Sequence, residues 1–249
     1  MRVAALYDVH GNLPALEAVL KDVRSAGVDL VVVGGDVLPG PMPAETLACL
    51  AGLDLPVRFI QGNGERIVVT QAAGADINEV PMPHREVIRW TAEQLRPGDA
   101  TWLAGWPGTC EIEIDGLGRV LFCHATPRND SEVFTRLTPE DRLVPVFADV
   151  NVPFVVCGHT HMQFERMVGS VRVVNAGSVG MPFSQPQGAY WALLGPGIEE
   201  RSSDYDFEQA ADQMRGTGMP LVEDLSVRYV LSPPTEAETL ALFAPVELR

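Results

Sequence analysis

Long apolar runs are missing from this chain. No stretch approaches the roughly 18 consecutive apolar residues of a membrane span, so we expect no membrane partner. Leader features are scarce too: Met1-Arg2-Val3-Ala4-Ala5-Leu6-Tyr7 runs straight into Asp8 with no extended apolar region or small-residue cleavage site, so we expect no signal peptide here. Without those signal features we expect a cytoplasmic protein. Cysteine is scarce. Cys49, Cys110, Cys123 and Cys157 form no CxxC pair, which excludes a zinc ribbon or a thioredoxin-like site. They read as reduced thiols acting as small hydrophobes, and strand alternation places Cys123 on the opposite face from His124. Positive charge is thin: the formal net charge is −15, and no Lys/Arg cluster tracks a phosphate backbone. Such a surface repels polyanions, so long nucleic acid is not an expected partner. A small phosphorylated molecule, drawn to one locally positive metal cleft, fits better. Histidine is also sparse, at five residues, and where those five fall is informative.

What is present is an ordinary globular composition, 46% hydrophobic and 20% charged, over 249 residues. That supports a full-sized core in one large domain or two small ones. Five short motifs follow one another: Asp8-Val-His10, Gly35-Asp36, Gly62-Asn63, His124, and Gly158-His159-Thr160-His161. They contain four of the five histidines and offer seven side chains able to bind a metal: Asp8, His10, Asp36, Asn63, His124, His159 and His161. Each motif follows an apolar run. It therefore belongs at the C-terminal end of a buried strand, where open α/β sheets place their ligands.

Val3–Tyr7 reads as a strand, Pro14–Ala26 as an amphipathic helix ended by Gly27, Leu30–Val33 as a strand, 43–53 as a helix and Val57–Ile60 as a strand. This β-α-β-α-β series implies parallel pairing with right-handed crossovers. Residues 66–106 lack strand character. Cys110–Asp115 with Val120–Cys123, and Phe164–Val168 with Val171–Asn175, read as hairpins around Gly116-Leu117-Gly118 and Gly169-Ser170. Phe154–Cys157 is a further buried strand, and Ala189–Leu194 closes the strand series. After about 204 the pattern is helical: Phe207–Arg215, Leu221–Val230 and Glu236–Phe243. We divide the chain into a domain at 1–204 and a C-terminal helical extension at 205–249, which is short for independent folding and so should pack on the same domain. Two mixed sheets face to face with helices outside would accommodate both halves.

The motif series resembles the calcineurin-like metallophosphoesterase superfamily, whose pattern is D-x-H, GD, GN, H and G-H-x-H, over roughly residues 1–200. From Asp8 to Asp36 is 28 residues and from Asp36 to Asn63 is 27. Asp8-Val-His-Gly-Asn-Leu-Pro-Ala-Leu-Glu17 and Asn175-Ala-Gly-Ser-Val179 are most similar to its small bacterial phosphoesterase branch, which includes relatives of dinucleoside tetraphosphatases. The resemblance implies an α/β fold, a four-layer α-β-β-α sandwich of two mixed sheets. It also implies two metals bridged by Asp36, with Asp8, His10 and His161 completing one site and Asn63, His124 and His159 the other. Asp36, Asn63 and His124 are the implied catalytic residues. Mixed imidazole and carboxylate ligands suit divalent transition metals, Mn first, then Fe, Zn, Ni or Co. Two such ions about 3.5–4 Å apart can hold a bridging hydroxide and clamp phosphate oxygens. The implied activity is hydrolysis of a phosphodiester, phosphomonoester or phosphoanhydride. The alternative is a binding scaffold with little catalysis, like the retromer subunit that shares the fold.

One position departs from the family. Many members read GNHD or GNHE, with a histidine that assists the leaving group, whereas here the segment is Gly62-Asn63-Gly64-Glu65. Good leaving groups would suffer least from its loss. Glu65 reads either as an acid of raised pKa or as a carboxylate supporting Arg or solvent. His84 reads as a surface or capping residue, or as a substitute proton donor. Asn12, Arg128 and Asn129 are candidates for binding substrate phosphate, Arg by its match to phosphate geometry. Each has a plainer reading, as a helix cap for Asn12 and an exposed loop for Arg128. Asn175 and Ser178 lie where they could support the metal ligands. The four tryptophans, Trp90, Trp102, Trp106 and Trp191, read as core or cleft-wall residues.

Overall fold

A computed structural model describes residues 1–248. Ten strands form two five-stranded mixed sheets. The first half builds β1 (Val3–Leu6), α1 (Leu13–Ser25), β2 (Leu30–Val33), α2 (Pro43–Ala51) and β3 (Val57–Phe59). Three helices follow with no intervening strand: α3 (Asn63–Ala72), α4 (Met82–Gln94) and α5 (Asp99–Ala104). Then come β4 (Thr109–Ile114), β5 (Gly118–Cys123), α6 (Glu140–Leu143), β6 (Phe154–Cys157), β7 (Gln163–Val168), β8 (Val171–Ala176), β9 (Ala189–Leu194) and β10 (Ile198–Ser203). The chain ends in α7 (Phe207–Arg215), a π-helical turn at Glu223–Val227 running into α8 (Arg228–Leu231), and α9 (Glu236–Phe243).

The sheet orders are β10-β9-β1-β2-β3 and β4-β5-β6-β8-β7. In each, three parallel strands occupy one continuous stretch: β1, β2 and β3 in the first, β5, β6 and β8 in the second. The central strands are apolar along their whole length because both of their faces are covered. Alternation along β1 divides them: Ala4 and Leu6 face Leu16, Val19 and Leu47 of the outer helices, while Val3, Ala5 and Tyr7 face Val120, Phe122 and Val156 of the second sheet. The Tyr7 hydroxyl donates to the Val156 carbonyl across that inter-sheet core at 3.0 Å. A third core, with Cys123, Leu143, Phe147 and Phe164, covers the outer face of the second sheet. The result is the four-layer sandwich expected from the sequence. Cys123 packs in that outer core, away from His124.

Two boundaries differ from the sequence reading. The strand series does not close at Leu194: β10 pairs antiparallel with β9 along all six residues. Its sequence, Ile198-Glu-Glu-Arg-Ser-Ser203, carries no apolar signature because it is an exposed edge strand held mainly through its backbone. Asn63 opens α3 instead of ending β3. The C-terminal helices share a small core of Ala210, Ala211, Met214, Val227 and Val230 with Met42, against which Leu13 of α1 also packs. Among the described residues, no helix is long and apolar enough to cross a membrane.

Candidate metal centre

The loops after β1, β2, β5 and β6 and the N-terminus of α3 meet at one end of the two sheets. They form two adjacent triads, Asp8–His10–His161 and Asp36–His124–His159, whose potential ligand atoms lie within 4.8 Å of one another in each. Asp36 stands between them: Oδ1 is 3.4 Å from His124 Nε2, and Oδ2 is 3.9 Å from His10 Nε2. Asp8 Oδ1 lies 3.4 Å from His161 Nε2 and 3.9 Å from His124 Nε2.

The backbone here is unusual. Among the described residues, seven non-glycine positions have positive φ, and five of them are Asp8, His10, Asp36, His159 and His161, at 46° to 68°. Asp and His tolerate this region better than most residues, yet each instance costs on the order of 1–3 kcal/mol and persists only where surrounding contacts enforce it. Those contacts are visible. The Asp8 and His10 amides donate to the Gly35 and Asp36 carbonyls at 3.0 Å each, and the His159 amide donates to Asp8 Oδ2 at 2.8 Å. Ser178 Oγ donates to the Asp8 carbonyl at 2.7 Å, and Asn175 Nδ2 donates to the Gly158 carbonyl at 2.6 Å. Asn175 and Ser178 thus anchor the two ligand-bearing loops.

The imidazoles are oriented by main-chain carbonyls. His124 Nδ1 lies 2.9 Å from the Gly34 carbonyl, His161 Nδ1 2.6 Å from that of Met181, and His10 Nδ1 3.2 Å from that of Pro39. A carbonyl only accepts, so each of these nitrogens carries the proton and leaves Nε2 with its lone pair toward the centre. In His159 it is Nε2 that meets a carbonyl, that of Ser131 at 3.2 Å, so Nδ1 is left. The His10 and His161 Nε2 atoms are then 3.2 Å apart with lone pairs facing, an arrangement that a shared cation would stabilise. Asp8 Oδ1, Asn63 Oδ1 and His124 Nε2 are buried and have no hydrogen-bond partner. Buried polar atoms are normally satisfied. These three orphans, contributed by three elements that meet at the triads, fit divalent cations.

The electrostatics agree. Burial lowers the affinity of His124 for a proton, but the Asp36 and Asp8 carboxylates outweigh it and push its pKa up to about 10. Burial would raise Asp36, yet His124 and His10 hold it well below the usual carboxylate range. His159, half-buried and beside His124, is pushed down to about 4 by desolvation and by that neighbour. Two carboxylates enclosed together thus demand positive charge.

Glu65 supports neither an arginine nor solvent, and of its two expected readings only the raised pKa holds. Its carboxylate is fully buried and accepts three backbone amides: Asp36 N at 2.9 Å and Gly62 N at 2.8 Å on Oε2, and Leu38 N at 2.9 Å on Oε1. Burial and Asp36 push its pKa up to about 7, while the three donors favour the ionised form. It ties the Asp36 loop to the Asn63 turn. Gly64 is equally constrained: a Cβ there would overlap the Leu38 carbonyl oxygen and sit 2.9 Å from Asp36 Oδ1, and the Gly64 amide donates to that Oδ1 at 2.7 Å. The family histidine has no room in this chain. Gly64→His is therefore expected to lower activity and the melting temperature together; a gain in turnover would contradict this packing.

The proposed phosphate-binding residues are distributed differently from expectation. Asn12 caps α1, with Oδ1 accepting from Ala15 N at 3.2 Å and Nδ2 donating to the Gly180 carbonyl at 2.9 Å. Arg128 is exposed and paired with Glu132, its nitrogens 2.6 to 3.1 Å from the carboxylate. Asn129 folds its own loop, with Oδ1 accepting from Ser131 N at 2.7 Å and Glu132 N at 2.9 Å. None of the three lines the cavity over the triads, which measures about 710 Å³. The arginine that does is Arg66, one turn into α3, where Nε and Nη2 are held by Asp130 at 2.6 and 3.0 Å. Its position directly after the Gly62-Asn63-Gly64-Glu65 turn was the available signal. His84, at the start of α4, is exposed on the same cavity wall. The tryptophans do not line it: Trp102 and Trp106 pack with Phe59, and Trp191 is buried with its Nε1 on Ser203 Oγ at 3.1 Å.

The calcineurin-like phosphoesterase superfamily domain matches residues 1–194. An uncharacterized protein of Methanocaldococcus jannaschii is 26% identical over 237 residues, covering 88% of this chain and 93% of its own length. Among solved structures, a metallophosphoesterase from Sphaerobacter thermophilus is 25% identical with a TM-score of 0.71, covering 93% of this chain and 98% of its own. A hypothetical protein from Pyrococcus horikoshii OT3 is 19% identical with a TM-score of 0.76, covering 90% and 97%, and shows the fold.

Proposed function

Because this chain belongs to the calcineurin-like phosphoesterase superfamily, we propose that it hydrolyses a phosphate ester at a centre of two divalent transition-metal ions. The observation that carries this reading is the pair of triads with Asp36 between them, together with the orphaned Asp8 Oδ1, Asn63 Oδ1 and His124 Nε2. Asp8, His10 and His161 would hold one ion, and Asn63, His124 and His159 the other. When bound, the ions supply a nucleophile from water at neutral pH and positive charge against the phosphoryl oxygens.

The chain's own groups then do the positioning. The Gly64 amide fixes the Asp36 carboxylate, and the Gly34, Pro39 and Met181 carbonyls fix three imidazoles. Arg66 faces the cavity with Nη1 unpartnered among the described residues, and Asp130 holds its fork in one orientation for a phosphoryl oxygen. The water oxygen forms a bond to phosphorus, and the bond from phosphorus to the ester oxygen breaks. The leaving oxygen departs with the electron pair and takes a proton. With glycine at position 64, esters whose leaving oxygen is already a weak base are favoured.

The test is hydrolysis of bis-p-nitrophenyl phosphate by the metal-loaded protein, before and after chelation. Turnover that requires the metal is expected; bound metal with no turnover would leave the scaffold reading. The same samples give a second expected result. Ions that bind only the folded chain at 100 times their dissociation constant add about 2.7 kcal/mol. At this size that raises the melting temperature by roughly 5–10 °C. A melting temperature indifferent to Mn²⁺, Zn²⁺, Co²⁺ and Ni²⁺ would argue against the centre.

A further inference from the structure

The cavity over the triads is far larger than a phosphoryl group, and its walls extend well beyond the motif loops. One wall comes from α3 and α4, through Ile67, Val87 and Ile88. The opposite wall comes from the segment beyond residue 194, where the family domain ends, through Met219, Leu225, Tyr229 and Phe243. The π-helical turn Glu223–Val227 presents Leu225 and Ser226 to the cavity, and such turns recur at functional sites.

A series of rings runs outward from the metal centre. His161 and Phe183 have centroids 4.4 Å apart at 36°, Phe183 and Tyr229 5.0 Å apart at 38°, and Phe183 and Phe243 6.2 Å apart at 33°. The three outer rings are half-buried, so each presents one surface to the cavity. Among the described residues, and beyond the ligand histidines, the only cationic or titratable basic groups on the walls are Arg66, already paired with Asp130, and His84, and Glu79 lines the same cavity. Nothing there would neutralise a second, third or fourth phosphate, and the chain carries a net charge of −15.

Resting on the phosphoesterase reading above, we infer that the substrate is an organic ester with a single phosphoryl group and a large planar apolar moiety, which lies against Phe183, Tyr229 and Phe243. The volume of about 710 Å³ is that of a pocket for a drug-sized ligand. The C-terminal helices are thus a specificity element, and dinucleoside polyphosphates are poor substrates.

Binding of two non-hydrolysable probes to the Mn²⁺-loaded full chain, by calorimetry, tests this without requiring turnover. Burial of one phenyl ring against aromatic walls predicts that phenylphosphonate binds at least about 10-fold more tightly than methylphosphonate. The Tyr229→Leu/Phe243→Leu double variant, which keeps apolar volume but removes two rings, should reduce that ratio to roughly threefold or less. If the double variant does not fold, the wild-type ratio decides alone. Equal affinities in the wild type, no binding of either probe, or an unchanged ratio in a folded double variant overturns the inference. Phenyl preference without hydrolysis of any nitrophenyl ester keeps the aromatic subsite, as one for a bound ligand, and removes the esterase reading. Hydrolysis with equal phosphonate affinities does the reverse.

Discussion

Asp36→Asn is expected to abolish nearly all metal-dependent ester hydrolysis while leaving the chain folded. The substitution is almost isosteric, and the Asn carbonyl oxygen can still accept the Gly64 amide that Asp36 Oδ1 accepts at 2.7 Å. What is lost is the charge shared between the two triads, since Asp36 approaches His124 on one side and His10 on the other. Losing an outer hydrogen-bond partner of a metal ligand costs about 10–100-fold, and losing a ligand that faces two ions should cost more, at least about 100-fold in kcat. The measurement is kcat on bis-p-nitrophenyl phosphate together with metal stoichiometry by elemental analysis. We expect fewer than two ions per chain in the variant. A rate within tenfold of wild type at full stoichiometry would show that Asp36 does not link two ions.

Glu65→Ala should be the most destabilising single change near the site. It strands three buried backbone N–H groups, those of Asp36, Leu38 and Gly62, which Glu65 accepts at 2.8 to 2.9 Å. Each unsatisfied buried donor costs about 1–3 kcal/mol, so the loss is roughly 3–9 kcal/mol, or about 10 °C or more in melting temperature for a chain of this size. Glu65→Gln should recover only part of it, because one of its terminal groups is itself a donor facing N–H groups. Metal affinity should fall in parallel, since the Asp36 loop and the Asn63 turn lose the carboxylate that joins them. Thermal melts of the metal-free variants check the first expectation and metal titrations the second. A Glu65→Ala protein as stable as wild type would mean that water replaces the carboxylate without loss.

The sequence by itself determined the two sheets and the convergence of the ligand candidates. Strands buried on both faces must be apolar throughout, so β1, β2, β6 and β8 are legible as runs, and parallel strands of one sheet deliver the loops at their C-terminal ends to a common edge. A centre built from Asp, Asn and His also leaves its residue types in the chain, where four of five histidines fall in the motifs. The strand β10 was not legible because an exposed edge strand is recognised by its backbone hydrogen bonds to β9 and not by its side chains. Only the tertiary structure decided which of two arginines faces the cavity. Arg128 is taken up by Glu132 four residues away, whereas Arg66 is held by Asp130 from a different element.

Only the fold, likewise, made Glu65 a clamp on three amides and filled the place of a histidine at position 64 with the Leu38 carbonyl. It also brought Tyr229 and Phe243 against Phe183, beside His161. Apart from the local Gly62–Glu65 bond, these features rest on contacts between residues tens of positions apart, each set by how layers pack. Periodicity and spacing record which face of an element is buried and carry no record of which distant group it meets.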